Sequence, residues 1–199
     1  MKKLLSLSLA LLAAAAMTVP TLAASHTVQR GDTMWKLAVQ YQVGTSEIID
    51  ANPQVANPNL IYPGDVLTIP ETDASVRAYE QEVVRLVNAE RAKHGLAALM
   101  EDWELSRVAR YKSQDMHDNR YFAHNSLTYG TPFQMIRAFG LSYRTAGENI
   151  AMGYAAPAAV VAGWMNSEGH RANILSSSYT KIGVGYVADG HYWTQQFIG

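Results

Sequence analysis

AGENIAMGYAAPAAVVAGWMNSEGHRANIL, residues 146–175, decides how the C-terminal half of this chain is read. Gly147-Glu148-Asn149 sets a carboxylate at the head of the stretch. Pro157 opens a run of Ala and Val that spans about two helical turns and closes at Trp164. Glu168 and His170 follow, separated by a glycine. Upstream, Tyr121-Phe122-Ala123-His124 supplies a second histidine just beyond a predicted helix. Two histidines and two acids from separate elements can hold a divalent cation or exchange protons.

Helical spacing leads up to this stretch. From Tyr79, Val83, Leu86, Val87 and Glu90 share a face, and Gly95 ends the helix. Asp102 caps a second helix, whose stripe is Leu105, Val108, Ala109, Lys112 and Met116. Thr131-Pro132 opens a third helix, which runs to Gly140. Asn88 and Arg91 are expected to brace helices rather than to act directly. Beyond the stretch, Thr180–Val187 alternates Ile182, Val184 and Tyr186 with glycines, which predicts a strand approached closely by another backbone. Asp189-Gly190 reads as a two-residue hairpin turn, with Tyr192–Phe197 returning. Periodicity alone supports an α+β class.

FAH at 122–124, GEN at 147–149, WMNSEGHRANIL at 164–175 and IGVGY at 182–186 occur in the order found in the CAP family (cysteine-rich secretory proteins, antigen 5, pathogenesis-related 1). The segment from about Tyr79 to Gly199 resembles the bacterial, cysteine-free branch of that family. The resemblance implies an α/β/α sandwich over residues 78–199, with a small antiparallel sheet between helices and a cleft tetrad of two histidines and two acids. His124, Glu148 and His170 match three members of the tetrad. Glu168 takes the place of the second acid, which in many eukaryotic members follows the tryptophan of the fourth helix after a longer loop. His124 and His170 are the expected metal ligands. Imidazole nitrogen makes Zn2+ the expected cofactor, because calcium and magnesium prefer oxygen shells. His26, His94, His117 and His191 have no motif around them.

The N-terminal half has its own pattern, HTVQRGDTMWKLAVQYQVGTSEIIDANPQVANPNLIYPGDVLTIP, residues 26–70. It predicts a short strand at His26–Gln29 and a helix carrying Met34, Leu37, Ala38 and Tyr41. A second helix with Ile48 and Ile49 inward follows, and then a strand at Val66–Ile69. VQRGDTMWKLA, ANP and NLIYPGDVLTIP closely resemble LysM, which implies a βααβ module that binds N-acetylglucosamine glycans such as peptidoglycan. The resemblance places Gly31, Asp32, Thr33 and Met34 on one wall of a shallow groove. It places Asn59, Leu60, Ile61 and Tyr62 on the other. Trp35 is expected inside. Residues 71–77 read as a short flexible linker.

Residues 1–24 read as a secretory signal. Lys2 and Lys3 precede the apolar run Leu4–Ala16, Pro20 breaks it, and Ala23 and Ala24 offer cleavage sites. A run of that length is short for a membrane span, so no stable anchor is expected after cleavage. The chain has 199 residues, no cysteine, 48% hydrophobic and 17% charged residues, and a net charge of −1. These values indicate a globular exported protein that does not rest on disulfides, and they suggest no nucleic-acid partner. HExxH is absent, and no nucleophile-elbow pattern surrounds Ser177-Ser178.

Three functions follow as expectations. The first is a secreted, cell-wall-associated protein that binds peptidoglycan through LysM and carries a metal- or ligand-binding CAP cleft. The second is a wall or peptide hydrolase using the tetrad. The third is a structural or assembly factor of a spore coat or envelope. Of these, the non-enzymatic wall-binding reading is preferred.

Overall fold

The computed structural model describes residues 23–199. The signal-peptide reading therefore lies outside the described residues, apart from Ala23 and Ala24. Among the described residues no helix is long and apolar enough to cross a membrane.

The N-terminal unit is a βααβ module. Strand β1 (Ala23–Thr27) pairs antiparallel with β2 (Val66–Pro70), with His26 opposite Leu67. β1 thus starts earlier than its apolar pattern suggested and ends before Gln29, whose N–H turns aside to the Asp32 carboxylate. Helix α1 (Met34–Tyr41) starts where the Thr33 hydroxyl accepts the Lys36 N–H at 3.1 Å. Helix α2 (Thr45–Asp50) follows. Leu37, Ile48, Leu67 and Ile69 are fully buried and form the centre of this core. Asn52 of the ANP motif is buried and replaces missing backbone partners. Its amide donates to the carbonyls of Ile48 and Thr68, each at 2.7 Å, and its oxygen accepts the Thr68 N–H at 2.8 Å.

The expected flexible linker is largely helix. Asp73 accepts the N–H groups of Ser75 and Val76 and so caps α3 (Ala74–Lys93), leaving only residues 71–73 between β2 and that helix. The two units also touch directly. The Arg107 guanidinium meets the Glu47 carboxylate at 2.5 Å, and Arg77 donates to the Gln42 side chain at 2.9 Å.

The C-terminal unit is a three-layer sandwich. Its remaining elements are β3 (Met100–Glu101), α4 (Trp103–Asp118), α5 (Pro132–Ala138), β4 (Ala146–Met152), α6 (Pro157–Met165), α7 (Glu168–Ile174), β5 (Lys181–Val187) and β6 (Tyr192–Ile198). The sheet order is β3-β5-β6-β4, so β4 is an edge strand. On one face Ile182, Val184, Trp193 and Phe197 pack under α3 and α6, against Val83, Val87 and Trp164. On the other face α4 lies almost on the backbone of β5. A Cβ at Gly183 would stand 2.3 Å from the Leu105 carbonyl carbon, and one at Gly185 would stand 2.1 Å from that of Ala109. The alternating glycines therefore do what their pattern predicted.

The β5–β6 connection differs from the expected two-residue turn. Val187 pairs with Tyr192, which leaves four residues between the strands, with Asp189–His191 in a short 3-10 turn. His191 is held there by a 2.7 Å hydrogen bond between its Nδ1 and the Tyr186 hydroxyl. Asn88 and Arg91 act as the expected braces. The Arg91 guanidinium is buried and donates to the carbonyls of Ala97, Ile174 and Ser176.

Candidate functional site

Two sites emerge, one in each unit. The first is a cleft at the edge strand of the sandwich. Because side chains alternate along β4, Glu148 points to the α4 face and Asn149 to the α7 face. The Glu148 side chain is only 2% exposed, while that of His124, on the loop after α4, is 52% exposed. His124 Nδ1 lies 2.9 Å from one Glu148 oxygen. The other oxygen accepts from the Gln196 amide at 3.0 Å, across the strand pair. Both carboxylate oxygens thus have partners, and among the described residues no hydrogen bond engages His124 Nε2.

From the opposite side, α7 brings His170. The Asn149 amide donates to the His170 carbonyl at 3.1 Å, and the Asn173 amide donates to the Asn149 side chain at 2.9 Å. Burial draws the pKa of the His170 ring below its ordinary value, and the nearby His124 ring acts in the same direction. His170 therefore stays neutral further into mild acid than a free imidazole, which is the form that can ligate a metal.

Glu168 sits at the start of the same helix. It is exposed in the first turn of α7, and among the described residues no hydrogen bond or ion pair links it to His124, Glu148 or His170. The structure pairs His124 with Glu148 and sets the His170 ring near His124, while Glu168 lies exposed two residues before His170. Among the described residues no group of three or more His, Cys, Asp or Glu side chains is arranged to hold a metal ion.

Beneath the cleft lies a polar layer that motif matching did not assign. Lys112 is fully buried, and its ammonium donates to the Tyr121 hydroxyl at 2.9 Å and to the Ala123 carbonyl at 2.8 Å. It therefore fixes the loop that delivers His124. Burial pulls the Lys112 pKa down, while the Glu148 and Asp115 carboxylates oppose that pull. Asp115 accepts from Ser126 at 2.7 Å, from Thr128 at 2.6 Å and from the Tyr121 hydroxyl. Burial works to raise its pKa, but these hydrogen bonds outweigh it and hold the carboxyl below its ordinary range. The sequence did carry a signal for Lys112, since a lysine on the apolar stripe of α4 must be buried with partners. Gln196 carried none.

The second site is the groove of the N-terminal unit, a hollow of about 240 Å³. Asp32, Thr33 and Met34 on one side face Asn59 and Ile61 on the other, and Trp35 lines it as well. Trp35 is 65% exposed, contrary to the expectation that it packs inside. Leu37 and Ala38 take the inward positions of α1, and the indole falls on the outer side at the groove rim. Asp32 is braced by the His26 ring at 2.9 Å and by the Gln29 N–H at 2.8 Å. Gly31 makes the turn at φ +94°, and its carbonyl accepts from Lys36 at 2.6 Å. Leu60 and Tyr62 point away from the groove. They line a separate hollow with Gln54, Asn57 and Asp65. Asn57–Leu60 form a turn closed by the Leu60 N–H on the Asn57 carbonyl at 2.9 Å, and the irregular stretch after it sends Ile61 to one hollow and Leu60 and Tyr62 to the other.

Comparisons with known proteins agree with both units. The sequence model of the cysteine-rich secretory protein family (CAP) matches residues 84–197, and that of the LysM domain matches residues 26–70. YkwD of Bacillus subtilis (strain 168) is 60% identical over 132 residues, covering 66% of this chain and 51% of YkwD. SpoIVD-associated factor A of the same organism is 42% identical over 52 residues, covering 26% of this chain and 13% of that protein. The chain therefore spans about half the length, or less, of these curated relatives. The crystal structure of an extracellular protein containing a SCP domain, from Bacillus anthracis str. Ames, superposes with a TM-score of 0.60 at 34% identity. That superposition covers 68% of this chain and 47% of the other.

Proposed function

The chain belongs to the cysteine-rich secretory protein (CAP) family and carries a LysM domain ahead of the CAP domain, and from this premise we propose that it is exported, is held at the cell wall by peptidoglycan, and presents a CAP cleft that binds a ligand. The observation that carries this reading is the groove in which Thr33 and Met34 face Asn59 and Ile61, with Trp35 exposed at its rim. Short polar groups there suit an N-acetyl amide, and apolar surface suits its methyl group and the sugar face. Co-sedimentation of residues 25–199 with insoluble peptidoglycan tests it. Wild type and His124→Ala should pellet alike, and Trp35→Ala should stay largely in solution. Wild type remaining in the supernatant would overturn the reading.

For the cleft we propose a divalent transition metal, best matched by zinc, on His124 and His170. The donor set fits in one respect: Glu148 occupies His124 Nδ1 and leaves Nε2 free, the arrangement in which a carboxylate orients a metal-bound imidazole. Bound zinc would polarise a water or carbonyl oxygen. Two protein nitrogens are fewer than the three protein ligands usual in catalytic zinc sites, which places hydrolysis second to ligand binding. Calorimetric titration of zinc into residues 25–199 checks this. Wild type should bind one zinc per chain, and His124→Ala and His170→Ala should bind at least about tenfold more weakly, ~1.4 kcal/mol. Equal binding by all three would reject the assignment. A role in assembling a spore coat is a further reading, supported by the name of a LysM relative, the spore coat assembly protein ExsA of Bacillus cereus, 38% identical over 52 residues.

A further inference from the structure

A second hollow, of about 230 Å³, opens between the two domains. Trp35 and Thr45 wall it on the LysM side, and Trp103, Glu104, Arg107 and Phe139 wall it on the CAP side. Trp35 and Thr45 also line the LysM groove, so the two hollows meet at these residues.

The walls are held in place by a defined clamp. Arg107 bonds the Glu47 carboxylate at 2.5 Å and the Ser46 hydroxyl at 3.2 Å, and its guanidinium carbon sits 4.9 Å from the Phe139 ring centre. Gly44 passes so close that a Cβ there would stand 2.3 Å from the guanidinium. The partly buried Glu47 keeps its charge in this clamp. Burial works to raise its pKa, but the Gly44 N–H and the Arg107 guanidinium together bring it below the ordinary value.

We propose that this interdomain hollow continues the glycan site, so that a strand of N-acetylated hexosamines too long for the LysM groove passes over Trp35 and lays its next sugars against Trp103. The proposal rests on the glycan reading of the groove. The occupant follows from continuity, because what leaves the groove beside Trp35 is the same covalent strand. The chemistry of the walls suits it. Aromatic faces cover the C–H face of a sugar ring, and Glu104 and Arg107 offer an acceptor and donors to hydroxyl and N-acetyl groups. The CAP domain then acts as a second wall of the wall-binding site, and recognition depends on glycan length.

Calorimetry of residues 25–199 with the trimer and the hexamer of β-1,4-linked N-acetylglucosamine tests this, using wild type, Trp103→Ala and Arg107→Ala, each checked for native circular dichroism. The trimer reads the groove, and all three proteins should bind it alike. The hexamer should bind wild type at least about tenfold more tightly than the trimer, ~1.4 kcal/mol. In both variants that ratio should fall to the few-fold gain expected from the extra registers a longer chain offers a short site. An unchanged hexamer-to-trimer ratio in the two folded variants would overturn the extended site while leaving the groove intact. No binding of either oligomer by wild type would overturn the groove reading and this one together. Should Trp103→Ala not fold, Arg107→Ala decides alone, since Arg107 lies outside the apolar clusters of the CAP core.

Discussion

In the LysM groove the binding surface comes from two short loops, and the side chains along it are exposed or belong to a small apolar core. In the CAP cleft the central carboxylate is buried and is bonded by groups from two different elements, His124 from the loop after α4 and Gln196 from β6, with the Lys112 charge of α4 nearby. The first site can lose its exposed Trp35 side chain without opening its core. In the second, loss of the buried Lys112 or Gln196 leaves a buried partner unpaired, whereas the half-exposed His124 is less tied to the packing. On this comparison the rim of the groove is expected to tolerate side-chain loss better than the buried layer of the cleft.

The sharpest way to break this contrast is Lys112→Met. It removes the donor to Tyr121 and Ala123 and the buried positive charge near Glu148 and Asp115. Thermal or urea unfolding should show a loss of about 3 kcal/mol. A stability equal to wild type would mean that the cleft is as separable from its fold as the groove is. The groove counterpart is Trp35→Ala, where stability should change by no more than about 0.5 kcal/mol. Peptidoglycan affinity should nevertheless fall about tenfold, equivalent to ~1.4 kcal/mol. Sedimentation and melting on the same sample separate the two effects.

The clamp between the domains gives a gentler test through pH. The pKa of Glu47 is depressed in the folded chain from an ordinary value of 4.5, so its contribution is complete above that pH and is lost as pH falls through the lower folded value. Small-angle scattering should therefore show the two domains in contact at pH 5 and separating only in stronger acid, while Arg107→Ala separates them at neutral pH. Wild type and Arg107→Ala giving the same profile would remove the clamp from the comparison. The smallest effect is expected from Tyr62→Ala. Its ring points into the hollow beside Gln54 and Asp65, away from Thr33 and Met34, so glycan affinity should change less than about twofold. A tenfold loss would show that the glycan also uses the far side of that loop.

Much of this protein was legible in its order of residues. Helix stripes, caps and alternating β5 residues are local patterns, and they placed most elements and both domains. FAH, GEN and GHR were enough to single out His124, Glu148 and His170, and RGDTM was enough for one wall of the groove. What escaped was whatever depends on which way a side chain turns once distant segments meet. Trp35 lies at the rim because Leu37 and Ala38 fill the inward face of α1. Tyr62 and Ile61 part company because the irregular loop between two turns sends them to different hollows. Glu168 stays in solvent while His170, two residues on, reaches the cleft. The Glu71–Arg77 stretch became mostly helix once Asp73 capped it, and Arg107 found Glu47 across the domain boundary. Sequence by itself therefore determined the family, the order of the domains and the chemical kinds of residue at each site. Tertiary structure alone decided the partners of Lys112, the place of Gln196 beneath Glu148 and the meeting of two hollows at Trp35. These contacts join residues far apart in the chain, and only packing selects them.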